Sequence, residues 1–519
     1  MIRSPLLTNI GGHINGRWAL AASAQTIDVF NPLDGKLVIE VPDMNENAVQ
    51  PAVDAAAEAM EEYTAPMRRW RWLVSIGEGM RKHESELARL ITLEQGKPYR
   101  QSLEEVRYAA GCFGFIADQL KQVKQQQFAS KREARRWAIQ PRPIGVAALL
   151  PSWTNPIGDI ARKLAPALAM GCGVVVKPDE RSPVSAIALW NVIEMEELDI
   201  PQGLVNLVSG KAEGVYRAFC QSPEVRVITF TGTKKMAGLL REFTIDGSKR
   251  LILEVGGRIP CIVTEDADPA LAAREIVTGR FLNSGQTLAG AHRVFVHRSL
   301  VGQIANEFAR RVDALKTGDG MDPEVDIGPM ITQLAFNRVR RLVSDAVERR
   351  AKPLIGRDAL EKANEVVKRL VAERAKAPVP DREADEMEEA EQADEEKHSD
   401  EYGLFYHPTL LMDVRNDMQI ISESALGPVL SVTTYENTDR LVASINQLDY
   451  RWLAYVFSRD QATLQRLSNQ LRYQHIGINT ASNIALDSAF AGDLALSDGP
   501  QALIPAMAEF AELQTIAGQ

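Results

Sequence analysis

The spacing of apolar positions divides the chain into helical and strand-like stretches. Val49 to Tyr63, Arg68 to Gly96 and Leu103 to Leu120 set apolar residues three and four apart, with charge alternating on the other faces. That period predicts surface helices over most of the first third. From Gly145 the period changes. Short apolar runs at Gly145–Leu150, Gly173–Lys177, Leu204–Val208 and Val225–Phe230 predict buried strands, with helical stretches Ile160–Met170 and Ser185–Glu197 between them. A second series follows Gly256-Gly257, with strands at Cys261–Val263 and Val294–Val296 and helices at Leu271–Gly279 and Leu300–Leu315. Buried strands alternating with helices imply parallel sheets covered on both faces, so the expected class is α/β.

Near Lys352–Gly356 the alternation stops. Asp358 to Lys376 reads as an amphipathic helix, with Glu365 and Arg369 paired one turn apart, ended by Pro378-Val-Pro380. An acidic run follows, and globular patterning resumes at Tyr402-Gly403, so 357–402 is read as an insertion. Composition sharpens this. The whole chain of 519 residues has a net charge of −10, and Asp381–Glu401 alone holds twelve acidic and two basic residues. The rest is neutral, which argues against nucleic acid as a partner, because phosphate binding needs a basic excess. No apolar stretch is long enough for a membrane span, and Met1–Leu20 lacks the order of a signal peptide. The four cysteines (Cys112, Cys172, Cys220, Cys261) lie far apart, and the seven histidines form no ligand pattern. A cytoplasmic protein without a metal site is expected.

Four segments carry candidate chemistry. Leu150–Pro156 with Lys177-Pro-Asp-Glu180 can aim an ammonium and a carboxylate at a ribose, and reads equally as a plain turn after a strand. Thr229-Phe-Thr-Gly-Thr233 before a helix suits a phosphate, and helix capping alone also explains Thr233. Leu253-Glu-Val-Gly-Gly257 places a carboxylate at a strand end where the backbone allows close approach. Phe281-Leu-Asn-Ser-Gly-Gln286-Thr-Leu288 offers turn chemistry but no nucleophile beyond Ser284 and Thr287.

In this order the segments resemble the aldehyde dehydrogenase superfamily. Asn31-Pro32 with Gly35, Lys177 to Glu180, Phe-Thr-Gly at 230–232, Glu254-x-Gly-Gly, Asn283-x-Gly-Gln286, Gly427-Pro428-Val429 and Ile476-Gly-Ile-Asn479 all match. The resemblance implies a Rossmann-type dinucleotide domain (1–122 and 146–253), a catalytic-type α/β domain (254–474) carrying the acidic insertion, and oligomerisation elements (123–145, including a hairpin near Val123–Arg142, and 475–519). It implies NAD or NADP as cofactor, with Trp153, Lys177, Glu180, Gly232, Thr233 and Ser424 at the positions that hold it. It also implies a cysteine nucleophile, an asparagine that holds the oxyanion, and a glutamate base at Glu254.

The sequence departs from that pattern at the chemical centre. Leu288 stands at the nucleophile position and Thr154 at the oxyanion position, with Asn155 one place out of register. Ser424 replaces the ribose carboxylate, with Glu423 one place earlier. Neither Cys172 nor Cys261 is expected to substitute, and Thr287 has no evident base. The expectation is a catalytically inactive relative acting by binding a partner or nucleotide. The alternative is NAD(P)-dependent oxidation of an aldehyde by a non-standard route. A homodimer is expected because the chain stops soon after Ala511–Thr515, and 357–402 is a candidate surface for a protein partner.

Overall fold

Apolar runs such as Val146–Leu150 and Val174–Val176 become central strands in two seven-stranded sheets. The computed structural model describes residues 2–21, 25–123, 126–129, 136–244, 247–256, 258–356, 403–448, 451–481 and 505–518. The insertion 357–402, with its expected helix and acidic run, lies outside the described residues.

The first sheet has the order Arg250–Val255, Val225–Gly232, Val146–Leu150, Val174–Val176, Val205–Leu207, Gly12–Ile14, Arg17–Ala19. Its first five strands are parallel. The parallel part begins at Val146–Leu150, proceeds to one side, then returns to the other, so strand order reverses between Val146–Leu150 and Val225–Gly232. In an open α/β sheet that reversal opens a crevice beyond the carboxyl ends of the strands. The second sheet runs Lys352–Ile355, Thr409–Met412, Val429–Tyr435, Arg293–His297, Pro260–Val263, Leu453–Phe457, His475–Ile478, and only its Lys352–Ile355 edge is antiparallel. Helices cover the first sheet through apolar stripes. Pro66–Lys82 buries Trp72, Leu73, Ile76 and Met80, and Tyr99–Leu120 packs Val106 and Phe113 into the same cluster. Each such side chain contributes about 1.5–3 kcal/mol.

Four expectations need correction. The first third is not only helical, since Gly12–Ile14 and Arg17–Ala19 form a hairpin and Thr26–Phe30 pairs with Leu37–Pro42. The hairpin turns at Asn15-Gly16, both at positive φ, a signal present in the sequence. The stretch Arg68–Gly96 is two helices, broken at His83, whose backbone leaves the helical region. The span 475–519 is not wholly an oligomerisation element, because His475–Ile478 pairs with Leu453–Phe457 in the second sheet. Glu254 does not open the second unit, since Arg250–Val255 is the last strand of the first sheet. A third sheet joins Gln126–Ala129, Arg136–Pro143 and Ala511–Gly518, the last pairing along all eight of its residues. Among the described residues no helix is long and apolar enough to cross a membrane.

Candidate functional site

Two neighbouring strands and one helix build the charged floor of the site. Parallel register sets Thr231 beside Glu254. Helix Pro156–Met170 begins with proline in its first turn and ends at Gly171 in the left-handed conformation. It presents Asp159, Arg162 and Lys163, three and four residues apart and so on one face, to those strands. Arg162 donates through Nη1 to Glu254 Oε1 (2.8 Å) and through Nη2 to Glu254 Oε2 and Asp159. Lys163 Nζ donates to Glu254 Oε2 (3.0 Å), Asp159 Oδ1 (3.1 Å) and Thr231 Oγ1 (2.6 Å). Thr231 donates in turn to Glu254. Two acids thus face two bases, with the Glu254 and Arg162 side chains only 13% and 16% exposed. Burial alone would raise the Glu254 carboxyl, but the Arg162 and Lys163 charges outweigh it and hold the group far below the usual carboxylate range.

Leu288 sits across from this cluster. Its side chain lies against Gly256, where a Cβ would stand 2.1 Å from Leu288 Cδ2, so only glycine leaves it room. Both residues line a cavity of about 160 Å³ with Glu254, Arg162, Tyr108, Thr287 and Trp452. The loop that delivers Leu288 is elaborately held. Asn283, Ser284 and Gly285 are consecutive left-handed residues, with φ of 52°, 56° and 72°. Such conformations in non-glycine residues persist only when surroundings over-determine them. Asn283 Nδ2 donates to Thr154 O (3.2 Å) and Gln286 O (3.1 Å), Ser284 donates to Gly328 O (2.9 Å), and Gln286 Oε1 accepts from Ile331 N (3.0 Å). At Gly285 a Cβ would meet Gly427 O at 2.0 Å, which explains why the Gly-Pro-Val segment and this loop go together. His292, buried beneath, bonds Thr287 O at 3.1 Å. Burial and the nearby Arg280 push its imidazole down to about 3.

Thr154, at the oxyanion position, lines the same cavity. Thr154 Oγ1 shares a hydrogen bond with Ser152 Oγ (3.1 Å), and Asn155 Oδ1 accepts from Lys97 Nζ (2.9 Å). Thr287 Oγ1 accepts from Ala289 N (3.3 Å). The four cysteines are buried, and Cys261 lies inside the strand Pro260–Val263. Burial raises every thiol, Cys112 and Cys220 to about 11 and Cys172 to about 12, with Cys261 higher still. None is poised as a nucleophile.

The expected cofactor positions gather along the crevice with one exception. Trp153 follows Val146–Leu150, Lys177 and Glu180 follow Val174–Val176 and pair with each other (2.8 Å), and Gly232 ends its strand. Thr233 caps helix Lys234–Phe243, accepting from Met236 N. Ser424 instead accepts from Arg258 N (3.1 Å), and its neighbour Glu423 is engaged by Arg341 (2.8 Å) and Arg338. Sequence reasoning missed Asp159 and Arg162, and it flagged the segments holding Lys163 and Thr231 without giving either residue this role. The helical spacing of the first three was visible, but not their target.

Comparison with known proteins agrees with this architecture. Residues 18–377 and 372–516 match the profile described as the aldehyde dehydrogenase family. A probable succinate-semialdehyde dehydrogenase [NADP(+)] of Sinorhizobium fredii is 30% identical over 91% of this chain and 89% of its own length. Succinate-semialdehyde dehydrogenase [NADP(+)] GabD of Escherichia coli is 31% identical over 90% and 89%. Among solved structures, an oxidoreductase from Marinobacter aquaeolei superimposes with a TM-score of 0.87 at 32% identity, covering 100% of both chains.

Proposed function

Within the aldehyde dehydrogenase family, to which this chain belongs, we propose a member that admits a small ligand to its tunnel without oxidising it by thiol chemistry. The observation that carries this reading is Leu288 seated on Gly256 at the charged end of the cavity. Covalent oxidation of an aldehyde needs a nucleophile there, because attack on the carbonyl creates the species that gives up hydride. An isobutyl group neither attacks nor ionises. The base position supports the same reading. Glu254 is ionised but committed to Arg162, Lys163 and Thr231. A carboxylate stabilised so strongly is a poor proton acceptor at neutral pH, since base strength falls with pKa. At the oxyanion position Thr154 has its hydroxyl paired with Ser152 Oγ, and it carries no side-chain amide to donate to an oxyanion.

The competing reading is aldehyde oxidation without a covalent intermediate. It has behind it the names of the relatives, and its rate would lie ~10³-fold or more below covalent catalysis.

An activated phenyl ester tests the loss of the nucleophile, because a nucleophile in the cavity would be acylated by it with no dinucleotide present, whereas aldehyde-dependent formation of reduced nicotinamide separates the two readings. The natural chain is expected to release no burst of phenolate. The Leu288→Cys variant is expected to release at most one equivalent and then stall, because Glu254 is not free to activate water. A burst from the natural chain would overturn the reading.

Two assembly proposals stand beside this. Trp137, Leu513 and Ile516 are exposed apolar residues on the three-stranded sheet and suit a homodimer, which light scattering would check. The segment 357–402 is proposed to meet a basic protein partner.

A further inference from the structure

The topology puts a dinucleotide, where one binds, over the carboxyl ends of the first sheet at the reversal of strand order. Three observations bear on whether NAD(P) fits there. The Lys177 side chain, expected to reach a ribose, is 0% exposed. Its ammonium donates to Glu180 and faces the ring of Tyr216, 5.4 Å from the centroid. Tyr216 itself, from helix Ala212–Gln221, is only 4% exposed and stacks edge-on against Phe230 at 6.1 Å.

The phosphate side is covered as well. Glycine at a strand end serves a phosphate by leaving the backbone open to close approach. At Gly232 that opening is taken by the Phe230 ring, with Phe230 Cζ 2.4 Å from where a Cβ would stand. The third observation concerns Trp153, which is buried beneath the Arg181 guanidinium, 5.2 Å from its centroid. Asp179 anchors that guanidinium with two bonds of 2.8 Å.

We propose that this crevice is filled by the chain's own side chains, with Tyr216 sealing Lys177 and Arg181 sealing Trp153, so that NAD(P) does not bind in the manner its fold implies. Aromatic rings and a guanidinium here replace contacts that a ribose, a phosphate and a nicotinamide would make. The inference is independent of Leu288, since a chain lacking the nucleophile can still hold a dinucleotide.

The test is a calorimetric titration of the full chain with NADH and with NADPH, repeated for Tyr216→Ala and for Arg181→Ala. Alanine removes the ring while keeping the helix. The natural chain is expected to show no saturable binding up to millimolar nucleotide, and Tyr216→Ala to gain affinity by about tenfold or more. Micromolar binding by the natural chain overturns the proposal, even if Tyr216→Ala fails to fold. Folded variants that bind no better than the natural chain overturn it too. The ester experiment needs no dinucleotide, so failure here and failure of the proposed function are told apart.

Discussion

Leu288 is approached from two sides that have been treated differently. On the tunnel side the scaffold is intact. Three left-handed residues, the Asn283 and Gln286 hydrogen bonds and the Gly285–Gly427 contact still hold the loop, and a cavity of about 160 Å³ leads to it. On the crevice side the chain fills its own groove, and Lys177 is sealed. On the proposed reading, the difference is that the loop geometry around position 288 is kept while the thiol chemistry is not. Backbone strain and packing maintain the loop, and neither depends on which side chain stands at position 288.

The largest expected effect lies in the charge cluster between the two sides. Glu254→Leu removes one of the two carboxylates that Arg162 and Lys163 share, and the loss of a buried partner costs about 3–5 kcal/mol. Urea unfolding should show that loss, and Glu254→Leu with Arg162→Leu should recover much of it. A double variant as unstable as the single one would mean that packing, not charge, governs the cluster.

Acid comes next, and separates loop from cluster by pH window. His292 is held near 3 when folded against about 6.5 when unfolded, so the unfolded state binds more protons between these values. Its contribution is present above about pH 6.5 and is lost as pH falls towards 3, at up to ~1.4 kcal/mol per unit. The carboxyl of Glu254 is depressed, so its contribution is present above about pH 4.5 and declines only below it. His292→Gln should therefore flatten the stability curve between about pH 6.5 and 4.5 and leave the more acidic limb. An unchanged slope in the first window would place the proton uptake elsewhere.

Smaller effects are expected towards the surface. Thr233→Ala should cost about 1 kcal/mol in urea unfolding, the value of a helix cap. Deleting Val379–Glu401 should leave the unfolding midpoint unchanged while the isoelectric point moves from about 5.5 towards neutral. Failure of the shortened chain to fold would make the insertion part of the structure.

Much of this was legible in the residues. Four central strands of the first sheet follow from apolar runs, such as Val174–Val176 before Pro178, because a fully buried parallel strand has no polar face to hide the pattern, whereas in the second sheet only Pro260–Val263 and Arg293–His297 were expected. The Arg162–Glu254 pair was not legible, since 92 positions separate the partners and only the Thr231–Glu254 register brings them together. Tyr216 was silent too. One buried aromatic on an amphipathic helix reads as core, and only its place over Lys177 gives it meaning.

The most direct measurement is formation of reduced nicotinamide by the natural full chain, with NAD and NADP and a panel of semialdehydes and simple aldehydes, at protein concentrations high enough to detect a single turnover. The account predicts less than one equivalent per chain. Sustained formation of reduced cofactor would contradict it, and would show that Leu288 and the filled crevice leave a working dehydrogenase.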